Sequence, residues 1–402
     1  MPQTRRRLIG SAFAAATMMP RSSRAQANPT MRIGLLSDQT GPWRDLSGPT
    51  SYACARLAIA DFDPQDFDVE ILVGNHKNIP DLAVSIARGW FEHEGVDMVL
   101  DGGVSECALA LSRLCSESNK VFIATTAAST ALTGPECRAT TIHWVYDTAM
   151  QARSTGGTIT RAGRTNWFLL TSDGVSGTAL AQETRDAVEA AGGRIVGSAA
   201  LSADNPAVMQ QALASKAEVL GICAIGPAVP AVVRQATSAG LHKTMKLAPL
   251  FLLSTQVHAL GLEAAGGAQF SEAFYWNLNA RTRSFIGRIS GKVSLWPNMI
   301  QAGAYAGTLH YLKAVQNMGA AIAKSSGAET AGRMKSIPTD DDCFGTGLIR
   351  VDGRKLHPAV LFEAKAPADS RHEWDLLSPL AVTLADGAAQ PPEEAGCPLV
   401  KI

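Results

Sequence analysis

The sequence predicts an α/β protein of two lobes, each a parallel β-sheet covered by helices on both faces. Three observations predict it. Short apolar runs alternate with longer segments whose apolar residues recur at helical spacing, the pattern of a covered parallel sheet. The alternation lapses after residue 124 and restarts at residue 167, giving two strand–helix sets of about one domain each. The last third breaks the alternation with a long amphipathic segment and a pair of strands around a turn.

In the first set, residues 31–36, 69–73, 96–100 and 121–124 read as strands. Residues 49–63, 82–91 and 107–116 read as helices; Leu82, Ile86 and Trp90 share one face. In the second set the strands are 167–170, 195–198, 219–224 and 247–253. The helices are 177–191, 206–214 and 230–239, the first and last closed by glycines. Beyond them, 298–317 is a long helix and 328–335 a shorter one. Strands 347–351 and 359–363 flank Asp352-Gly353-Arg354-Lys355, which reads as a hairpin turn, and the tail after Pro367 is loop-rich.

The N-terminus reads as an export leader over residues 1–27. Arg5-Arg6-Arg7 precedes an apolar run at 11–19, and Ala25-Gln26-Ala27 is a small-x-small cleavage site. The apolar run is shorter than the roughly 18–20 residues a membrane span needs. Paired arginines before it point to the twin-arginine route, and so to a periplasmic protein. Removing a leader with five arginines and no acid from 36 basic and 36 acidic residues leaves a net charge of −5. No basic cluster remains, so nucleic acid is not an expected partner. No other apolar stretch is long enough to span a membrane.

Chemistry-bearing motifs are scarce. There is no phosphate loop, no G-x-G-x-x-G after a strand and no H-E-x-x-H, and no cofactor or metal is expected. Ser176 sits in Gly174-Val175-Ser176-Gly177, one residue short of a nucleophile elbow. The seven cysteines (Cys54, Cys107, Cys115, Cys137, Cys223, Cys343 and Cys397) form no C-x-x-C pair. An exported chain permits a disulfide, whose connectivity sequence does not give; buried thiols are the alternative. Asp340-Asp341-Asp342 fits no calcium loop and reads as a solvated turn.

What stands out is a set of small and hydroxylated loops at strand C-terminal ends, where open α/β sheets bind ligands. They are residues 37–43, 102–105, 125–129 and 172–177, the last including Asp173. Such residues at helix starts leave N–H groups for an anion, or simply cap the helix. Trp43, Tyr146 and Trp276 fall on loops or crossings between the sets, where a flat apolar body would stack.

These residues carry a resemblance to type I periplasmic solute-binding proteins of ABC transporters, the group built like the leucine/isoleucine/valine-binding protein. Its pieces are Ile33–Ser37 with Thr40–Trp43; Gly95-Val96-Asp97; Val121–Ala124; Arg234-Gln235-Ala236 with Ala239-Gly240-Leu241; and Phe344–Arg350 with Asp352-Gly353-Arg354. Trp43-Arg44-Asp45 and the Cys397–Val400 ending resemble one subgroup. The resemblance implies two Rossmann-like lobes joined by three hinge crossings, with ligand between them. Lobe one would hold residues 28–147 and 276–342, lobe two 148–275 and 343–402. The implied partners are a small-molecule ligand and an ABC transporter permease. Ser105 matches a hydroxyl contact to a ligand carboxylate, Ala127 and Ser129 a loop around the ligand head, and Trp43 an aromatic wall. Three positions depart from the amino-acid binders: Ser176 stands where a Tyr or Phe is usual, Ile225 where a tyrosine is, and the Leu250–Leu253 stretch, with Phe251, lacks the acid that pairs with an ammonium. The expectation is therefore an apolar or aromatic carboxylate, or a branched-chain amino-acid-like solute. The rival readings are a sensor or accessory protein of the same fold and, below it, a hydrolase using Ser176.

Overall fold

The computed structural model describes residues 28–201 and 206–401. The leader of residues 1–27 lies outside the described residues. The first sheet comprises β1 (Thr30–Ser37), β2 (Asp68–Asn75), β3 (Met98–Asp101), β4 (Val121–Ala124) and β5 (Thr141–His143), all parallel in the order β2-β1-β3-β4-β5. The second comprises β6 (Asn166–Thr171), β7 (Arg194–Ala200), β8 (Val219–Cys223) and β9 (Lys246–Pro249), parallel in the order β7-β6-β8-β9. In both, the order turns back beside the first strand. The loops after β1 and β3, and those after β6 and β8, therefore part and open a crevice at the strand ends.

Burial follows position in the sheet. The central strands β3, β4 and β8 are buried at every residue, while the edge strand β7 alternates exposed and half-buried positions. Continuous apolar runs at the centre and alternation at the rim are what two-sided cover demands. Gly34 on β1 has a packing reason: a Cβ there would lie 2.5 Å from the Trp90 ring. That indole covers the sheet where the helix Pro80–Gly89 continues as a π-turn, Trp90–Glu94.

Helix Met299–Met318 packs along helix Gly48–Phe62 and is buried over most of its length. Its start is fixed by a reciprocal cap. Asn298 accepts from the N–H groups of Ile300 and Gln301, and Gln301 Oε1 accepts from the Asn298 N–H at 3.0 Å.

Three sequence expectations need correction. The predicted strand 247–253 ends at Pro249, because Leu250–Leu253 turn inward and lead into helix Ser254–Leu260. The predicted hairpin partners do not pair. Strands β10 (Gln269–Glu272), β11 (Thr339–Asp341), β12 (Gly345–Ile349), β13 (Lys355–Leu356), β14 (Ala359–Ala364) and β15 (Leu377–Thr383) form two antiparallel sheets, β11-β12-β13 and β10-β14-β15. The hairpin around Asp352-Gly353 thus joins β12 to β13, and β15 gives the loop-rich tail a strand. The acidic run is no solvated turn either. Asp341 is buried and accepts from Cys343 N and Phe344 N, while Asp340 and Asp342 pair with Arg281.

The hairpin also sits with the first sheet, since Gly353 O accepts from His143 N on β5 at 2.9 Å. The chain passes to the second sheet's side only after β13, because β14 pairs with β10. This passage at His357–Pro358 lies beside the one at Val145: Val145 O accepts from both Arg354 and His357 Nε2. Cys397 is disulfide-bonded to Cys137, 260 residues away, which returns the tail to the first lobe. The other five cysteines are free and buried.

Candidate ligand-binding cleft

The first-lobe wall of the crevice is held by two carboxylates. Asp38, one residue past β1, accepts from Gly41 N at 2.6 Å, Trp43 N at 3.1 Å and Asn78 Nδ2 at 3.2 Å. These bonds fold residues 38–43 into a tight loop and stand Trp43 at the crevice. Across it lies Gly226, just past β8, with φ +92°. A Cβ there would fall 2.4 Å from the Trp43 ring. Only glycine lets the indole reach the second lobe this closely.

Asp101 ends β3 in the left-handed region, φ +85°, and is fully buried. Its Oδ1 accepts from Gly103 N at 3.2 Å and from the Thr126 hydroxyl in a short hydrogen bond. Burial pushes the carboxyl up to about 6, against the lowering effect of these bonds. One side chain thus ties the loop after β3 to the loop after β4. A second tie runs through Ser105, whose Oγ accepts from Ala128 N at 3.3 Å.

Trp43, Ser105, Thr126 and Ala128 form one side of a hollow of about 150 Å³, and Ser172, Asp173, Ser176 and Ile225 the other. A second hollow of about 180 Å³ adjoins it at Ser105 and Ser176, with Leu109, Ser129, Val175 and Ala179 on its walls. Helix Ser105–Glu117 starts at this site from the first lobe and helix Val175–Ala190 from the second. Neither start is closed by a side-chain cap. Two helix N-termini with unclaimed N–H groups therefore face one site, a setting for an anion.

Of the residues singled out by sequence, Trp43, Ser105, Asp173, Ser176 and Ile225 meet at the first hollow and Ser129 borders the second. Four border neither hollow. Ala127 is fully buried, its carbonyl accepting from His143 Nε2 at 2.8 Å. Tyr146 is buried too; its hydroxyl donates to Thr126 O and its ring lies 5.1 Å from Phe251. Burial pushes the Tyr146 phenol up. Trp276 belongs to an aromatic group at the far crossing, its Nε1 donating to Trp374 O at 2.7 Å and its ring edge-on to Trp296. Leu250–Leu253 are all buried and all apolar, and the buried Glu272 behind them accepts from Ser254 N.

Thr126 and Ala128 border the hollow in place of Ala127. Successive side chains of extended backbone point to opposite sides. The loop was legible in the sequence, but its phase was not. Asp38 and Asp101 left a trace: an acid right after an apolar strand and before glycines is well placed to accept from the turn's N–H groups.

Residues 30–371 match the family described as periplasmic binding protein. Solved structures of more than 30% identity include two from Burkholderia. One is a periplasmic binding protein from Burkholderia mallei, 32% identical, covering 92% of this chain and 99% of that chain with a TM-score of 0.85. The other is a branched-chain amino-acid ABC transporter periplasmic ligand-binding protein from Burkholderia xenovorans, 31% identical, with the same coverage and a TM-score of 0.86. An ABC transporter solute-binding protein from R. palustris, in complex with benzoate, shares the fold at 16% identity and a TM-score of 0.79, covering 92% of this chain and 99% of that chain. Among curated proteins none matches this chain.

Proposed function

The chain belongs to the periplasmic binding protein family, and from that premise we propose that it holds a compact apolar or aromatic carboxylate between its lobes for an ABC importer. The observation that carries this reading is the pair of uncapped helix N-termini, Ser105–Glu117 and Val175–Ala190, facing one hollow from opposite lobes. They supply N–H donors and a favourable dipole for a carboxylate. Trp43 and Ile225 offer apolar surface for its body. An ammonium would need an acid partner, since an unpaired buried charge costs several kcal/mol. Leu250–Leu253 provide none, and the acids that line the hollow, Glu106 and the exposed Asp173, are not buried ones. The R. palustris relative's benzoate is a compound of the class proposed here. The chain is a binding protein, as the two Burkholderia relatives are named. Among the described residues no group of three or more His, Cys, Asp or Glu is arranged to hold a metal.

Tryptophan-fluorescence titration with benzoate, 4-methyl-2-oxopentanoate and leucine tests the ligand class. The two acids should bind and compact the protein in X-ray scattering as the hinge closes. Micromolar binding of leucine, about −8 kcal/mol, with no response to either acid overturns the reading. We also propose twin-arginine export, motivated by Arg5-Arg6. Arg5→Lys with Arg6→Lys should leave an uncleaved precursor in the cytoplasm; normal processing of that variant excludes the route.

A further inference from the structure

We infer that the cleft continues past Ser176 into a distal subsite at Glu183, which takes a hydrogen-bond donor at the far end of a carboxylate longer than a single ring. The inference rests on the carboxylate reading above and extends it along helix Val175–Ala190. One face of that helix, at steps of three and four residues, presents Ser176 and Ala179 to the cleft-side hollow. The same face carries Glu183, Asp186 and Ala187 into an outer hollow of about 340 Å³. Thr148 and Ala149, neighbours on helix Thr148–Gln151, line the two hollows in turn.

Thr130 on the cleft-side hollow meets Glu183 on the outer one, its hydroxyl donating to Glu183 Oε1 at 3.4 Å. This length is weak for a hydroxyl donor. At the same point, Glu183 Oε2 and the Thr148 hydroxyl are buried and face each other without a well-formed hydrogen bond between them. Buried polar atoms are nearly always paired, and an unpaired one gains most from a ligand that pairs it. Burial and then the Asp147 charge push the Glu183 carboxyl up to about 7. Between Ser105 and this point Leu109, Val175 and Ala179 give apolar wall, with Glu106 beside Ser105. From Ser176 to Glu183 is seven helical residues, about 10 Å. The chemistry in sequence is an anion at the helix starts, an apolar body, and a donor at Glu183.

Calorimetric titration of the intact mature protein with two matched pairs tests this. The first pair is 3-phenylpropionate and 3-(4-hydroxyphenyl)propionate, the second hexanoate and 6-aminohexanoate. The shared requirement is a distal donor; the pairs separate a neutral phenol from a charged ammonium. At least one donor-bearing acid should bind about tenfold more tightly than its partner. In Glu183→Ala, folded by circular dichroism and thermal melting, the members of that pair should bind alike. Glu183→Gln, which keeps a carbonyl acceptor, should retain part of the phenol's advantage if the phenol is the preferred donor. Equal binding within both wild-type pairs overturns the distal subsite and leaves the carboxylate reading standing. A donor advantage that survives Glu183→Ala overturns the assignment to Glu183. Binding of none of the four acids overturns the carboxylate reading, and the subsite with it.

Discussion

In the first lobe the loops after β1 and β3 hang on two buried carboxylates, Asp38 and Asp101. In the second, the matching loops after β6 and β8 hang on neutral groups. Ser172 donates to Cys223 O at 3.4 Å, and Gln256 donates to Gly226 O at 2.8 Å. The sheets share a strand order, so the difference lies in the side chains at the strand ends. A carboxylate accepting several N–H bonds fixes a loop more firmly than a hydroxyl bonded to one carbonyl. Asp173, Gly174 and Val175 are exposed, whereas Ser105, Thr126 and Ala128 are buried. On the reading proposed above, the first lobe would offer a preformed half-site that the second completes when the hinge closes.

The largest expected effect breaks the stronger side of this comparison. Asp38→Ala removes the acceptor for Gly41 N, Trp43 N and Asn78 Nδ2. It should cost about 3 kcal/mol in urea unfolding, because three half-buried donors lose their acceptor at once. Ser172→Ala should cost about 1 kcal/mol or less, as one long neutral bond is lost. Equal costs would show that the two walls are held alike.

The next effect is in pH. Folding raises the Asp101 carboxyl from 3.8 to about 6, so the folded state favours the protonated form. The stability it contributes is fully present below about pH 4 and is lost as pH rises through about 6. The total is about 3 kcal/mol. Asp101→Asn should remove this slope. The unfolding free energy of the wild type, measured against that of the variant, should fall by about 2 kcal/mol between pH 4 and pH 7. A constant difference would mean that Asp101 does not change ionisation on folding.

How much of this was readable without coordinates depends on what each feature draws on. The strands of the two parallel sheets other than β5, and most of the helices between them, were legible because apolar period and glycine or proline breaks are local signals; β5, β10, β11, β13, β15 and the helix Ala280–Ile289 were not read. Val121–Ala124 and Pro206–Ala214 match the observed bounds. The hairpin partner was not, since 359–364 has the composition to pair with β12 and is claimed instead by β10. The Cys137–Cys397 bond spans 260 residues, and spacing carries no signal over such a distance. In the site, loop positions followed from strand ends. Which side chains face inward did not, as Ala127 against Ala128 shows. Trp276 was placed by its crossing, but its partners, Trp296 and Trp374, come from distant segments.

A smaller effect bears on closure. Gly226→Ala puts a Cβ 2.4 Å from the Trp43 ring at φ +92°. The strain should cost about 1 kcal/mol of stability. The greater consequence is that the lobes cannot approach, so ligand should bind at least about tenfold more weakly and X-ray scattering should show no compaction. If Gly226→Ala closes normally, the Trp43–Gly226 approach is not part of the closed state.

The smallest effect separates two serines that sequence alone treats alike. Both Ser105 and Ser129 lie at the start of a helical turn beside the cleft, where a hydroxyl either caps the turn or meets ligand. The Ser129 Oγ accepts from Ala131 N at 3.3 Å and caps the short turn Thr130–Thr133. The Ser105 Oγ caps nothing in its own helix; it accepts from Ala128 N across to the neighbouring loop and borders both hollows. Its proton remains available to a carboxylate, since a hydroxyl can donate while accepting. Ser129→Ala should therefore lower stability by about 0.5–1 kcal/mol, the usual cost of a lost cap, and change affinity by less than about threefold. Ser105→Ala should weaken binding about tenfold, one charge-assisted hydrogen bond. Chemical unfolding and titration of both variants read the two effects separately. A reversed pattern, with affinity lost at Ser129 and only stability at Ser105, would move the anion site from the helix start after β3 to the turn after β4.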